Sequence, residues 1–108
     1  MNEVPVVQIT TTVNSEEEAC RIAEAAVSRK LAACAQVTGP IISYYYWKGE
    51  QCREKEWRVS MKTLKNLELN LMDFINEDHP YETPELITMR IETVSEAYLE
   101  WMLQTLGD

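Results

Sequence analysis

The order of patterned segments predicts an α+β fold, a ferredoxin-like βαββαβ sandwich with a long central hairpin and an extra C-terminal helix. Three observations carry that expectation. Runs rich in β-branched or alternating residues at 4–12, 32–62 and 86–92 read as strands. Two segments with helical apolar spacing separate them, in the order of a split βαβ unit that places helices on one face of an antiparallel sheet. A third helical segment follows the last strand.

The first strand is Val4–Thr12, with Pro5 near its start, where a missing backbone donor is tolerated. Ser15 and Glu18 then match a capping box, and Glu16, Glu17 and Glu18 suit the positive end of a helix. Ala19, Ile22, Ala23, Ala26 and Val27 form its expected buried face, and Arg29 and Lys30 suit its C-terminal end. A second strand is expected over Ala32–Trp47, broken or bulged at Gly39-Pro40. Lys48-Gly49-Glu50 is the turn, and the chain returns through Arg53–Lys62 with Trp57, Val59 and Met61 on one face.

Asn66 is the expected cap of a second helix, whose stripe is Leu67, Leu71, Phe74 and Ile75. That helix must end before Pro80, because proline disfavours helical geometry in the residue ahead of it. After the last strand, Ser95 caps a helix with Leu99, Met102, Leu103 and Leu106 on one face, and Gly107 lies just beyond its end. The 108 residues suffice for one domain, 1–108, without repeat or linker.

Composition narrows the function. A formal charge of −8 disfavours phosphate-rich partners, so neither nucleic acid nor an anionic membrane is expected. No run approaches the ~18 apolar residues of a membrane span. The start, Met1–Pro5, has neither the basic end nor the apolar run of a signal peptide, so the expected location is cytoplasmic. The three cysteines are odd in number and none is spaced as a zinc pair, which fits reduced thiols. Cys34, within Leu31–Ala35, is expected to be a buried small apolar residue.

The hairpin argues for self-association. Sixteen extended residues span roughly 50 Å at ~3.3 Å each, whereas the first helix covers only about 24 Å. The overhanging part contains Ile41, Ile42, Tyr44, Tyr45, Tyr46 and Trp47. Apolar edges of that kind aggregate unless covered, so either a neighbouring chain takes them or the hairpin bends back over its own sheet.

Lys30–Ala35, Ser43–Glu50, Glu56–Thr63, His79–Glu85 and Tyr98–Trp101 occur in an order and spacing that resembles the CutA family of divalent-cation tolerance proteins. The resemblance spans nearly the whole chain. It implies a compact homotrimer, related in architecture to PII signalling proteins, with hairpins joined in sheets between subunits. It also implies a link to tolerance of divalent metals, copper above all.

The run His79-Pro80-Tyr81-Glu82-Thr83-Pro84-Glu85 holds the single histidine, beside Glu77 and Asp78. Two prolines stiffen it. Imidazole suits copper and zinc, which makes His79 and Asp78 the candidate metal pair. Some relatives place a cysteine on the first strand and a second histidine beside the motif histidine. The corresponding residues here are Thr11, a poor copper ligand, and Asp78, a harder one. A site would then need carboxylates such as Glu85, or groups from other subunits. The alternative is that His79 caps the second helix. Trp47, Glu56, Lys62, Tyr81 and Glu85 form a second candidate set, a cleft between subunits for an anionic small-molecule effector. Otherwise Glu56 and Lys62 form structural ion pairs, and the protein acts as a scaffold. Enzyme motifs are missing: no G-x-S-x-G, no P-loop and only three glycines. A cysteine–histidine pair through Cys20 or Cys34 is not required by anything in the sequence.

Overall fold

The computed structural model describes residues 5–107. The expected strand start at Val4, and Met1–Glu3 ahead of it, lie outside the described residues. Strand β1 (Val6–Val13) leads to helix α1 (Glu16–Ser28), then to the hairpin of β2 (Cys34–Trp47) and β3 (Glu50–Leu64). A 3-10 turn (Lys65–Leu67) precedes α2 (Glu68–Asp78), followed by β4 (Leu86–Arg90) and α3 (Glu96–Leu106). The four strands form one antiparallel sheet in the order β2-β3-β1-β4, the α+β arrangement expected.

Helix starts follow the sequence signals in two cases. The Ser15 hydroxyl accepts from the Glu18 amide at 3.1 Å, and Ser95 accepts from the Tyr98 amide at 3.2 Å. Each supplies an acceptor for a donor that the first turn leaves without one. Gly107 closes α3 with φ of +77°, a left-handed conformation that costs glycine little. Asn66 does not cap α2. It falls inside the 3-10 turn, the cap position is Leu67, and no side chain bonds there.

The main core lies between the sheet and the α1/α2 layer, with Ile9, Val13, Val59 and Met61 packed on Ile22, Ala26, Leu71 and Ile75. Val27 is exposed, contrary to expectation. Eight residues beyond Ala19 the helix has rotated about 80° past that face. The sheet also has a second covered patch. Val6 and Leu64, directly paired across β1 and β3, meet Ala33 and Met102 of α3, so not every helix packs on one face. Leu103 lies outside this cluster and is exposed. Cys34 is only half-buried, whereas Ala32 and Ala33 are buried.

The hairpin is long and continuous from Trp47↔Glu50 to Cys34↔Lys62, with the register shift at Gly39-Pro40 between Thr38 and Ile41. Lys48 and Gly49 both take positive φ, +53° and +82°, as a two-residue hairpin turn requires. Gly39 has a steric reason: a Cβ there would lie 2.5 Å from Trp57 Cδ1. The 14 residues of β2 span about 46 Å at ~3.3 Å each, against about 20 Å for the 13 residues of α1. Tyr44, Tyr46 and Trp47 at its far end are 64, 74 and 41% exposed, so the hairpin does not fold back over its own sheet.

Candidate functional site

Strand β1 outruns β4, whose pairing stops at Thr11↔Leu86. The loop from α2 to β4 fills the space beyond. His79 ends α2 with extended backbone (φ −76°, ψ 139°), and its ring turns back onto β1. Nε2 lies 2.9 Å from the Thr12 carbonyl and 3.0 Å from Thr11 Oγ1. Nδ1 accepts from the Tyr81 amide at 3.0 Å. Those partners select the neutral tautomer with hydrogen on Nε2. The Thr11 hydroxyl gives its own hydrogen to the Glu85 carbonyl at 2.6 Å, so it accepts from the ring. The imidazole thus ties the start of the loop to β1, and the Thr11 hydroxyl ties its end at Glu85. Burial holds the His79 pKa below the ordinary 6.5, partly opposed by its bond to the Thr12 carbonyl and by the field of Glu56.

The loop next presents Tyr81, whose ring meets that of His79 edge-on at 4.9 Å. Its hydroxyl donates to Glu56 Oε2 at 2.7 Å. Burial and then this bond raise the phenol well above its ordinary pKa of 10, so it stays a donor at neutral pH. Glu56 is 6% exposed, unusual for a carboxylate of an outer sheet region. Its partner across the hairpin is Ile41, and Ser43↔Glu54, Tyr45↔Cys52 and Trp47↔Glu50 continue the same side by alternation.

Between this side of the hairpin and the proline loop lies a cavity of about 760 Å³. Trp47, Glu56, Tyr81 and Glu85, four of the five residues expected in a cleft, line it. Lys62 does not. It lies at the opposite end of the hairpin, paired with Cys34 and Gln8, and its Nζ donates to Gln36 at 3.2 Å. No ion pair joins it to Glu56 among the described residues. Sequence reasoning missed Glu54, Tyr45 and Glu82, which also line it. Alternation from Glu56 to Glu54 and from Trp47 to Tyr45 is the signal that marks the first two.

The metal pair fares differently. Asp78 does not join His79; its carboxylate takes Arg21 Nη1 at 2.6 Å, and its carbonyl accepts from Arg21 Nη2 at 3.0 Å. Glu18 completes that exposed bridge at 2.7 Å. With a hydrogen bond at each ring nitrogen, His79 offers no free lone pair to a metal. Among the described residues, no group of three or more His, Cys, Asp or Glu side chains is placed to hold a metal ion. The residues present therefore do not fit a copper or other divalent centre at His79 within this chain. Neither ring nitrogen bonds a cysteine; all three thiols are free, with Cys20 exposed and Cys34 and Cys52 half-buried.

Comparison with known proteins gives one consistent result. Residues 7–105 match the model of the family described as CutA1 divalent ion tolerance protein. A probable divalent-cation tolerance protein cutA homolog of Encephalitozoon cuniculi is 37% identical over 98 residues, 91% of this chain and 82% of the relative. The divalent-cation tolerance protein CutA of Thermotoga maritima is 33% identical over 100 residues, 93% of this chain and 98% of its own. Among solved structures, CutA of Synechococcus elongatus superposes with a TM-score of 0.93 at 36% identity, covering 99% of this chain and 95% of that one. A protein from Archaeoglobus fulgidus described as periplasmic divalent cation tolerance protein CutA gives 0.90 at 31% identity, over 94% and 99%.

Proposed function

The chain belongs to the CutA1 divalent ion tolerance family, and on that premise we propose that it works as a non-enzymatic homotrimer of the divalent-cation tolerance type. The observation that carries this reading is the overhanging hairpin, whose aromatic end has no cover within the subunit. Ile87 and Met89 of β4 add further apolar surface, 50 and 48% exposed. Exposed aromatic and aliphatic side chains gathered in this way mark interfaces. Light scattering at micromolar concentration tests the proposal: three copies of the 12.5 kDa chain are expected, and a stable monomer overturns it. The three free thiols support a reducing, cytoplasmic setting, although the A. fulgidus relative is described as periplasmic.

A second reading has its own observation, the 760 Å³ cavity between the hairpin and the proline loop. That volume falls within the range of small-molecule sites. In our reading it contributes to a small-molecule effector cleft between subunits, and the family's link to metals is exercised through regulation rather than through a copper ion on His79 and Asp78. Copper titration followed by tryptophan fluorescence separates the two. Saturable binding that is lost in His79→Ala favours the metal site.

A further inference from the structure

The overhanging end of the hairpin has two sides of opposite charge. From Ile41 to Glu56 no residue belongs to either apolar core cluster of the chain. Cross-strand partners share a side, and neighbours along a strand alternate. Ser43↔Glu54, Tyr45↔Cys52 and Trp47↔Glu50 therefore make one side, and Ile42↔Lys55, Tyr44↔Arg53 and Tyr46↔Gln51 make the other. Both sides are aromatic. Tyr45 and Trp47 are each 41% exposed on the first, and Tyr44 and Tyr46 are 64 and 74% exposed on the second. The first side carries Glu50 and Glu54, and Glu82 and Glu85 of the proline loop lie across the cavity from it. The second carries Arg53 and Lys55 and no acid.

These charges do not neutralise one another within the chain. Glu54 stands between Arg53 and Lys55 in sequence, but alternation points it away from both, and no ion pair joins them among the described residues. Arg53 Nε donates to the Tyr44 hydroxyl at 3.0 Å, and its guanidinium lies 5.8 Å from that ring centre, which holds the charge on the second side. Lys48, in the turn, lies 5.7 Å from the Trp47 ring centre, at the tip of the acidic side. Two copies stacked about a twofold axis would set like sides together, acid on acid or base on base. A head-to-tail stack sets the basic side of one copy on the acidic side of the next, and every subunit then uses both sides once. Complementary potentials favour the second arrangement and penalise the first.

We propose that the hairpin end is a two-faced docking arm for a second copy of this chain. Its basic side, Arg53 and Lys55 with Tyr44 and Tyr46, enters the space between the acidic side and the proline loop of the next subunit. The arriving cations meet Glu54, Glu82 and Glu85, and the exposed rings of both sides leave water together. The cavity of one chain is then the receptacle for its neighbour's arm, and any effector cleft there has walls from both subunits. The inference rests on the homotrimer reading and adds the direction in which the subunits join. Heterologous contacts of this kind close into a ring when the rotation between copies permits it.

The test uses the intact protein and three variants: Arg53→Glu/Lys55→Glu, Glu50→Lys/Glu54→Lys, and the fourfold variant that carries both changes and so exchanges the two sides. All four positions lie outside the chain's own core clusters, and circular dichroism checks each fold. Light scattering across a dilution series, with the same moderate urea in every sample, reads the chain concentration at which half of the trimer has dissociated. Each half-variant opposes like charges and should raise that concentration at least about tenfold. The fourfold variant should return to within about threefold of the wild type, because its sides are complementary again. Half-variants that dissociate like the wild type overturn the inference and leave the homotrimer reading standing. A fourfold variant no better than the half-variants does the same. A wild type that is monomeric or dimeric overturns both. Arg53→Gln/Lys55→Gln replaces a half-variant that fails to fold. It should raise the concentration about two- to fivefold, whereas stacking of like sides requires a fall, and a fall or no change overturns the inference.

Discussion

Replacing His79 by alanine distinguishes a structural imidazole from a metal ligand. In the folded chain the ring donates from Nε2 to the Thr12 carbonyl and Thr11 Oγ1 and accepts the Tyr81 amide on Nδ1. A neutral hydrogen bond contributes a net ~0.5–1.5 kcal/mol, and a buried group left without a partner costs about 1–3 kcal/mol. The site is half-buried, so water partly replaces the lost bonds. The two strongest losses are the Thr12 carbonyl and the Tyr81 amide, and together they come to about 2–4 kcal/mol. The assay is urea unfolding of wild type and His79→Ala at one fixed chain concentration, because association shifts apparent stability by mass action. A lower midpoint with an unchanged slope is expected. His79→Asn should recover part of the loss, since its amide can donate toward Thr12. Copper titration of the same proteins supplies the second arm, with no high-affinity component lost in the variant. An unchanged urea midpoint together with a lost copper site would refute the structural reading of His79.

The other predictions concern the same loop, the hairpin and a helix start. Burial lowers the His79 pKa below its unfolded value of about 6.5, so the unfolded chain binds the proton more readily. The resulting stability is fully present above that pH, declines as pH falls through it, and levels off below the folded pKa. In urea unfolding between pH 8 and pH 5, that component of the decline should be absent from His79→Ala. Gly39→Ala drives a Cβ to 2.5 Å from Trp57 Cδ1 and should cost about 1–3 kcal/mol, read as a lower thermal midpoint. Ser95→Ala removes the hydroxyl that accepts from the Tyr98 amide and should cost ~1 kcal/mol, with Ser95→Asp recovering most of it in the same thermal assay.

Local signals made the architecture legible. The β-branched run of β1, the alternation in β3, the capping serines 15 and 95 and the glycine after α3 each act within a few residues, so a sequence displays them directly. The site is different because its contacts are long-range. His79 reaches Thr11 and Thr12 across separations of 68 and 67 residues, and Tyr81 reaches Glu56 across 25. The residue types around the proline run are visible in the sequence, but the direction of the imidazole depends on where β4 stops along β1. Glu54, Glu56, Glu82 and Glu85 and the aromatics are visible too, but their convergence depends on the hairpin register. Lys62 shows how strict that dependence is. It lies on the same strand as Glu56, yet it pairs with Cys34, whereas Trp47 pairs with Glu50 at the other end. Twelve residues of extended chain, roughly 40 Å at ~3.3 Å each, separate those two ends, too far for any lysine side chain to cross. Within this chain, the sign of the charge that the hairpin presents there therefore follows from strand register, and a change that shifted the register by one residue would exchange Glu54 and Glu56 for Arg53 and Lys55 on that side.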